Sequence, residues 1–339
     1  ATDDTTKEFF QSLVDAETLH ALLHFENEER LFVGVNNMFR FVLLTMGGGK
    51  NTAKAAHICA FARNAAQARD PQRRYTLSAG EIASINPNTR TFPTFHSRRD
   101  ADINLAMYRR AGILWRESDE SCGNPWGLRF LQGLFNMASD SGLFRTRAQL
   151  EAQGCKREGN HFVGKQERFL PLFEAKMVHH FDHRFGTYEG QTEAQENQGK
   201  LPELDARAHG EPNRLSLPYY WVDQSEVAER LQDRWQRGWL LGWRDICRST
   251  DQRTVIASLI PRAAVGHKLP LMLPAHEPSA VACLYASLCS FALDYAARQK
   301  VGGTSLTYFV VKQLPVLAPS VYGVATAWDR GVLLRDWVL

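Results

Sequence analysis

Residues 239–261, "WLLGWRDICRSTDQRTVIASLIP", decide how the chain is read. Two apolar runs, "WLLGWRDI" and "RTVIASLIP", flank the polar turn "CRSTDQ", which is the pattern of an antiparallel hairpin. Just upstream, "DQSEVAERLQDRWQRGW" repeats Val227, Leu231 and Trp235 at helical spacing. Asp223 and Glu226 stand at capping-box separation before them, and Gly238 stops the helix. Downstream, residues 278–299 read as one helix. Helices and hairpins follow one another without a regular βαβ repeat, so the expected fold class is α+β.

Toward the N-terminus, residues 5–23 read as a helix, with Phe9, Phe10, Leu13, Leu19, Leu22 and Leu23 on its apolar side. "RLFVGVNNMFRFVLLTM" (30–46) reads as one or two strands, and "GGGKNTAK" as a turn into a third, "AAHICAFAR". The glycines before Lys50 lack P-loop spacing, and Asn51 stands where a hydroxyl is needed, so a hairpin turn is expected rather than a nucleotide cradle. A lone hairpin is marginal in water; these strands are therefore expected to complete a sheet with strands elsewhere in the chain or outside it. Residues 78–118 turn helical around "SRRDADINLAMYRRAGILW", with Leu105, Tyr108 and Ile113 as the apolar stripe and Arg98, Arg99, Arg109 and Arg110 off it. Residues 189–216 are polar and short of aliphatics, which predicts a long surface loop. The stretch "DYAARQKVGGTSLTYFVVKQLP" (294–315) reads as a basic helix end, a stop at Gly302–Gly303 and an apolar strand.

The 339 residues are 44% hydrophobic and 23% charged, the make-up of an ordinary soluble globular protein with a sizeable core. A net charge of +3 advertises no polyanion partner, but about thirty of the 40 basic residues are Arg, the better fork for phosphate and guanine edges. A GC-rich coding sequence gives the same bias. Six scattered cysteines without a Cys-x-x-Cys pair read as reduced, buried thiols. No run of eighteen apolar residues occurs, and "ATDDTTKEFF" has neither a basic nor an apolar leader region. A soluble, cytoplasmic chain with no membrane partner is expected, and its start without Met reads as a processed chain or an excised piece.

"FEAKMVHHFDHRFGTYEG" (173–190) is the densest cluster of chemistry-bearing residues. His179 and His183 have i,i+4 spacing, but no acid completes a His-Glu-x-x-His zinc pattern, and Asp182 would point elsewhere on a helix. Glu174 and Lys176 match the Glu-x-Lys half of a metal-dependent nuclease site, whereas the Pro-Asp half is missing. Phe-x-Gly-x-Gly, Asn/Asp-Pro-Pro-aromatic, Gly-x-Ser-x-Gly and Rossmann patterns are all absent, so no catalytic set or metal site is assigned in this chain.

Six blocks in order resemble a known family: "LLHFENEERLFVGVNNMFRFVLLTM", "INPNTRTFPTFHSRRDADINLAMYRR", "NPWGLRFLQGLFNMASDSGLFRT", "LPLFEAKMVHHFDHRFGTYEG", "WLLGWRDICRSTDQRTVIASLIPRAAVGHKLPLM" and "RQKVGGTSLTYFVVKQLPVLAP". They look like the C-terminal half of large adenine-N6 DNA methyltransferases, of the type IIG restriction-modification and phage-defence-island (DISARM-like) kind. The resemblance covers roughly residues 8 to 320. It implies that residues 1–70 are the end of a methyltransferase-core-like sheet, which would explain strands lacking a sheet to join. Residues 71–165 would be a mainly helical connecting region, 166–320 the target-recognition domain, and 321–339 a C-terminal tail.

The implied function is selection of the methylation site on double-stranded DNA. The parent enzyme would use S-adenosylmethionine, and no cofactor is expected in this chain. A methyltransferase core, in the same parent chain or a partner chain, and other defence-system proteins are the remaining implied partners. The resemblance makes Arg298, Lys300, Thr304 and Ser305 candidate phosphate contacts. It places Lys176, His179, His180, His183 and Arg184 on a groove-facing loop, with Arg244 and Arg253 flanking the hairpin. A divalent-metal nuclease using Glu174 and Lys176, and a scaffold docking other defence proteins, are the alternatives.

Overall fold

The computed structural model describes residues 7–48 and 51–339 and has an α+β fold. Its contacts divide the chain into two units. The first comprises Ala1–Pro125, Phe291–Gly303 and Thr307–Trp337; the second comprises Trp126–Ser290, Thr304–Leu306 and Val338–Leu339. The main divisions fall at 125/126 and 290/291. Among the described residues no single helix is long and apolar enough to cross a membrane.

In the first unit, the helix Lys7–Asp15 ends before Glu17, which takes a left-handed φ of 53°. Leu19–Glu26 then forms strand β1, correcting the reading of 5–23 as one helix. β1 pairs antiparallel with β2 (Arg40–Met46) and parallel with β3 (Ala55–Ala62), and β4 (Tyr75–Ser78) completes the order β2-β1-β3-β4. A strand with apolar residues on both faces lacks the alternation that marks a half-exposed one, and Leu19, Leu22 and Leu23 also fit helical spacing. Residues 30–39 do not extend β2. They form a turn folded over Asn27, whose amide donates to the carbonyls of Phe32 (3.0 Å) and Val35 (2.9 Å). Gly49 and Lys50 of the glycine turn lie outside the described residues.

Helix Arg98–Ala111 starts where the Ser97 hydroxyl accepts the Asp100 N–H at 3.1 Å. Leu105 and Tyr108 are buried as the stripe predicts, joining Leu22, Ile58, Leu77 and Ile85 in the core, while the four arginines stay exposed. The segment read as a strand after Gly303 contains the helix Tyr308–Lys312. Val310, Val311 and Leu314 share one helical face and are all buried, which outweighs their β propensity.

The second unit holds two sheets. One has the order β6 (Arg145–Thr146), β10 (Tyr220–Asp223), β9 (Arg168–Phe173), β8 (His161–Val163), β7 (Lys156–Glu158), with β13 (Ala264–Val265) parallel to β9. The other has the order β12 (Ala257–Pro261), β11 (Trp239–Trp243), β14 (Leu271–Leu273), β5 (Arg129–Leu131). β11 and β12 are the expected hairpin, with Leu240 opposite Ile260. Val227, Leu231 and Trp235 are buried in its core. The helix expected over 278–299 is interrupted at Ser290, with Pro278–Cys289 belonging to this unit. The polar stretch 189–216 carries two capped helices, Glu193–Asn197 and Ala206–Gly210, and is a structured surface excursion. The six cysteines are free; Cys122 is exposed, against the expectation that all were buried.

His24, on β1, accepts the Phe61 N–H at 3.1 Å through Nδ1, so the imidazole is bound in its neutral form. Burial, followed by the charge of Arg40, lowers its pKa to about 4. The folded pKa lies below the unfolded one, so this stabilisation is complete above about pH 6.5 and is lost as pH falls through about 4, a loss of up to about 3 kcal/mol. Chemical denaturation at pH 7 and pH 4 should show that loss, and His24→Gln should flatten it. An equal pH dependence in the variant would contradict the assignment.

Candidate nucleic-acid interface

In the second unit β11 runs out of the sheet at Trp243, and the next residues meet the short segment Thr304–Leu306. The Leu306 N–H donates to the Asp245 carbonyl at 2.7 Å, the Cys247 N–H to the Thr304 carbonyl at 3.2 Å, and the Trp243 indole to the Leu306 carbonyl at 2.8 Å. The Asp245 carboxylate is buried between two donors, the Ser305 hydroxyl and the Lys268 ammonium, the latter at 2.8 Å. The Asp245 N–H also donates to the Lys268 carbonyl at 3.1 Å. One carboxylate therefore joins three stretches of chain that are distant in sequence.

Beside it lies a cavity of about 340 Å³, lined by Met137, Glu174, Lys176, Arg244, Ile246 and Lys268, among others. Its floor includes Gly266, approached so closely by Gly133 (φ 78°) that a Cβ on Gly133 would lie 2.5 Å from the Gly266 carbonyl. Lys176 stands 4.8 Å from the centre of the Tyr188 ring. The Tyr188 hydroxyl donates to Glu174 at 2.5 Å, and burial together with that carboxylate raises its pKa, which fixes it as a donor. Arg244 donates to the Val178 carbonyl from Nε at 2.9 Å and lies over the Phe185 ring at 5.3 Å. Burial lowers its pKa to about 10, which leaves it charged at neutral pH.

Three cations thus line one concavity whose carboxylate, Glu174, already accepts the Tyr188 hydroxyl, while Lys268 is paired with the buried Asp245 behind it. Such a surface suits an oxyanion such as a phosphodiester. Among the described residues no group of three His, Cys, Asp or Glu side chains could hold a metal ion.

Lys176 and Arg244 line the cavity, and Ser305 braces its wall through Asp245. Thr304 is exposed next to it. Lys268, which the sequence reading missed, joins them; its only sequence signal is a lone lysine after "AAVGH". His179, His180 and His183 do not lie on a helix. His179 and Asp182 exchange backbone hydrogen bonds of 2.7 and 3.1 Å around a tight turn. Burial, then Arg244 for His179 and Arg184 for His183, lowers both imidazole pKa values. His180 Nδ1 sits 3.0 Å from the Cys289 sulfur. Arg184 donates to the carbonyls of Arg214 (2.9 Å), His209 (3.0 Å) and Glu211 (3.3 Å), and Arg253 to those of Cys289 (2.6 Å) and Ser290 (3.3 Å).

Arg298 and Lys300 belong to the first unit. Arg298 pairs with Asp294 at 3.0 Å. Lys300 corrects the sequence reading. It is buried, and its ammonium donates to Ile85 O (2.8 Å), Asn86 Oδ1 (2.6 Å) and Gln313 O (2.8 Å), 4.8 Å from the centre of the Tyr108 ring. All three donors are satisfied inside the core, so Lys300 is not a phosphate contact. Being last in its helix by sequence pointed to solvent; tertiary packing places it inside.

Lys300→Met should lower stability by about 1–3 kcal/mol, because it strands buried acceptors. Urea denaturation measures this, and an unchanged midpoint would contradict a buried, fully bonded ammonium.

No family model matches the chain, and no curated protein matches it. Among solved structures it is similar to the type IIG restriction endonuclease BpuSI, with a TM-score of 0.37 and 11% identity. That match covers 100% of this chain and 40% of the BpuSI chain, so this chain spans 40% of the length of that protein.

Proposed function

We propose that this chain is the DNA target-recognition part of an S-adenosylmethionine-dependent adenine-N6 DNA methyltransferase serving restriction-modification or phage defence. The observation that carries this reading is the convergence of Lys176, Arg244 and Lys268 on one cavity in the second unit. All three stand in sequence blocks that resemble such enzymes' recognition regions. These cations contact phosphates and so position the duplex, while bases are read by side chains reaching the groove. The parent enzyme flips an adenine and methylates its N6, and this chain on its own binds duplex DNA without catalysis.

Association with a methyltransferase core is supported by the first unit. β2 is an edge strand of its sheet, and its Val42, Leu43 and Met46 are exposed together with Phe32, Val33, Met38 and Phe39 of the preceding turn. A strand apolar on both faces suits the interior of an α/β sheet covered by helices on each side. An uncovered edge of this kind favours pairing with further strands.

Anisotropy titration with random-sequence duplex DNA at two salt concentrations tests the reading. Binding should weaken with salt and ignore S-adenosylmethionine. Lys176→Ala and Lys268→Ala should each lower the log–log salt slope by about 1. Plasmid should stay intact in Mg²⁺ and Mn²⁺. Cleavage abolished by Lys176→Ala would favour the nuclease alternative, and absence of binding at low salt would overturn the DNA reading.

A further inference from the structure

Phe181 sits at the second position of the two-residue turn closed by the His179–Asp182 backbone bonds, with φ 57°. Glycine or asparagine is usual where a turn needs positive φ, because a bulky side chain is strained there. The strain does not serve burial, for Phe181 is 73% exposed. Yet the turn beneath it is held firmly. The Phe181 N–H donates to the Tyr285 hydroxyl at 2.6 Å, and the Asp182 carboxylate accepts the Arg184 N–H at 2.8 Å and meets His209 at 3.0 Å. His180 is braced on Cys289, and Arg244, which lines the basic cavity, grips the Val178 carbonyl at the turn's base.

An exposed aromatic kept in a strained but braced conformation is preorganised for a ligand. The Phe181 ring meets Tyr285 edge-on at 5.1 Å and His180 at 6.4 Å, which leaves most of the ring open. An open aromatic face on a turn tied through Arg244 to the cavity of Lys176 and Lys268 matches a nucleobase flanked by phosphates.

We infer that Phe181 is a stacking wedge: where the second unit meets duplex DNA, its ring enters the base stack while the neighbouring cations hold the phosphates. This rests on the DNA-binding reading above and adds to it a residue that acts through the π face and not through charge.

The test uses the full chain with Phe181→Gly and Phe181→Trp, in salt-series anisotropy titrations with duplex DNA and in thermal melts. Phe181→Gly should weaken binding roughly five- to a hundred-fold. The salt slope should be unchanged, since no cation is removed. The melting temperature should change little, because glycine relieves the positive φ and so offsets the lost edge contact with Tyr285. A ring with a merely structural role would instead lower the melting temperature and leave affinity intact. Phe181→Trp should keep affinity, and DNA should quench emission beyond the change seen in the unaltered chain. If the unaltered chain binds DNA and Phe181→Gly binds equally well, this inference alone is overturned. If the unaltered chain does not bind, the proposed function falls with it.

Discussion

The second unit depends on the Asp245 carboxylate. Buried, it accepts hydrogen bonds from the Ser305 hydroxyl and the Lys268 ammonium, while its own backbone bonds both the Lys268 carbonyl and the Leu306 N–H. A buried carboxylate is tolerated only when its lone pairs are satisfied. Satisfying them fixes the start of the β11–β12 loop, the turn before β14 and the returning Thr304–Leu306 segment at one point. The cavity wall exists because this point is fixed, and Lys268 faces the cavity because Asp245 holds it there.

The arginine bias acquires a structural reading from the same unit. Arg184, Arg244, Arg253 and Arg262 direct their guanidinium groups at backbone carbonyls of neighbouring segments. A planar fork satisfies carbonyl acceptors of irregular chain that no sheet partner reaches, and lysine cannot reproduce that geometry. Much of the arginine content therefore staples loops. The proposed DNA contact therefore rests on fewer cations, chiefly Lys176 and Lys268, with the partly engaged Arg244 beside them. The modest net charge of +3 agrees with a local rather than a global basic surface.

Elements whose packing is local were legible in the sequence. The β11–β12 hairpin, the helix bearing Val227 and Leu231, and the capped helix Arg98–Ala111 each follow from periodicity and end signals a few residues apart. β1 was not legible, because it carries apolar residues on both faces and so loses the period-two pattern. The helix Tyr308–Lys312 was masked by its β-branched residues. At the candidate site Lys176, Arg244 and Ser305 were named from the sequence, but their convergence was not, since it depends on contacts between stretches 23 to 66 residues apart. The same holds for Lys300, whose burial is set by carbonyls at Ile85 and Gln313. Phe181 escaped notice because a positive φ leaves no trace in residue type.

The central claim is that DNA binds on the face of the second unit organised by Asp245. Amide hydrogen exchange with and without duplex DNA addresses it most directly. Slowed exchange confined to residues 176–184, 244–247, 266–268 and 304–306 is the expected result. Slowing confined to the arginine-rich helix Arg98–Ala111 of the first unit, with none at those segments, would contradict the account.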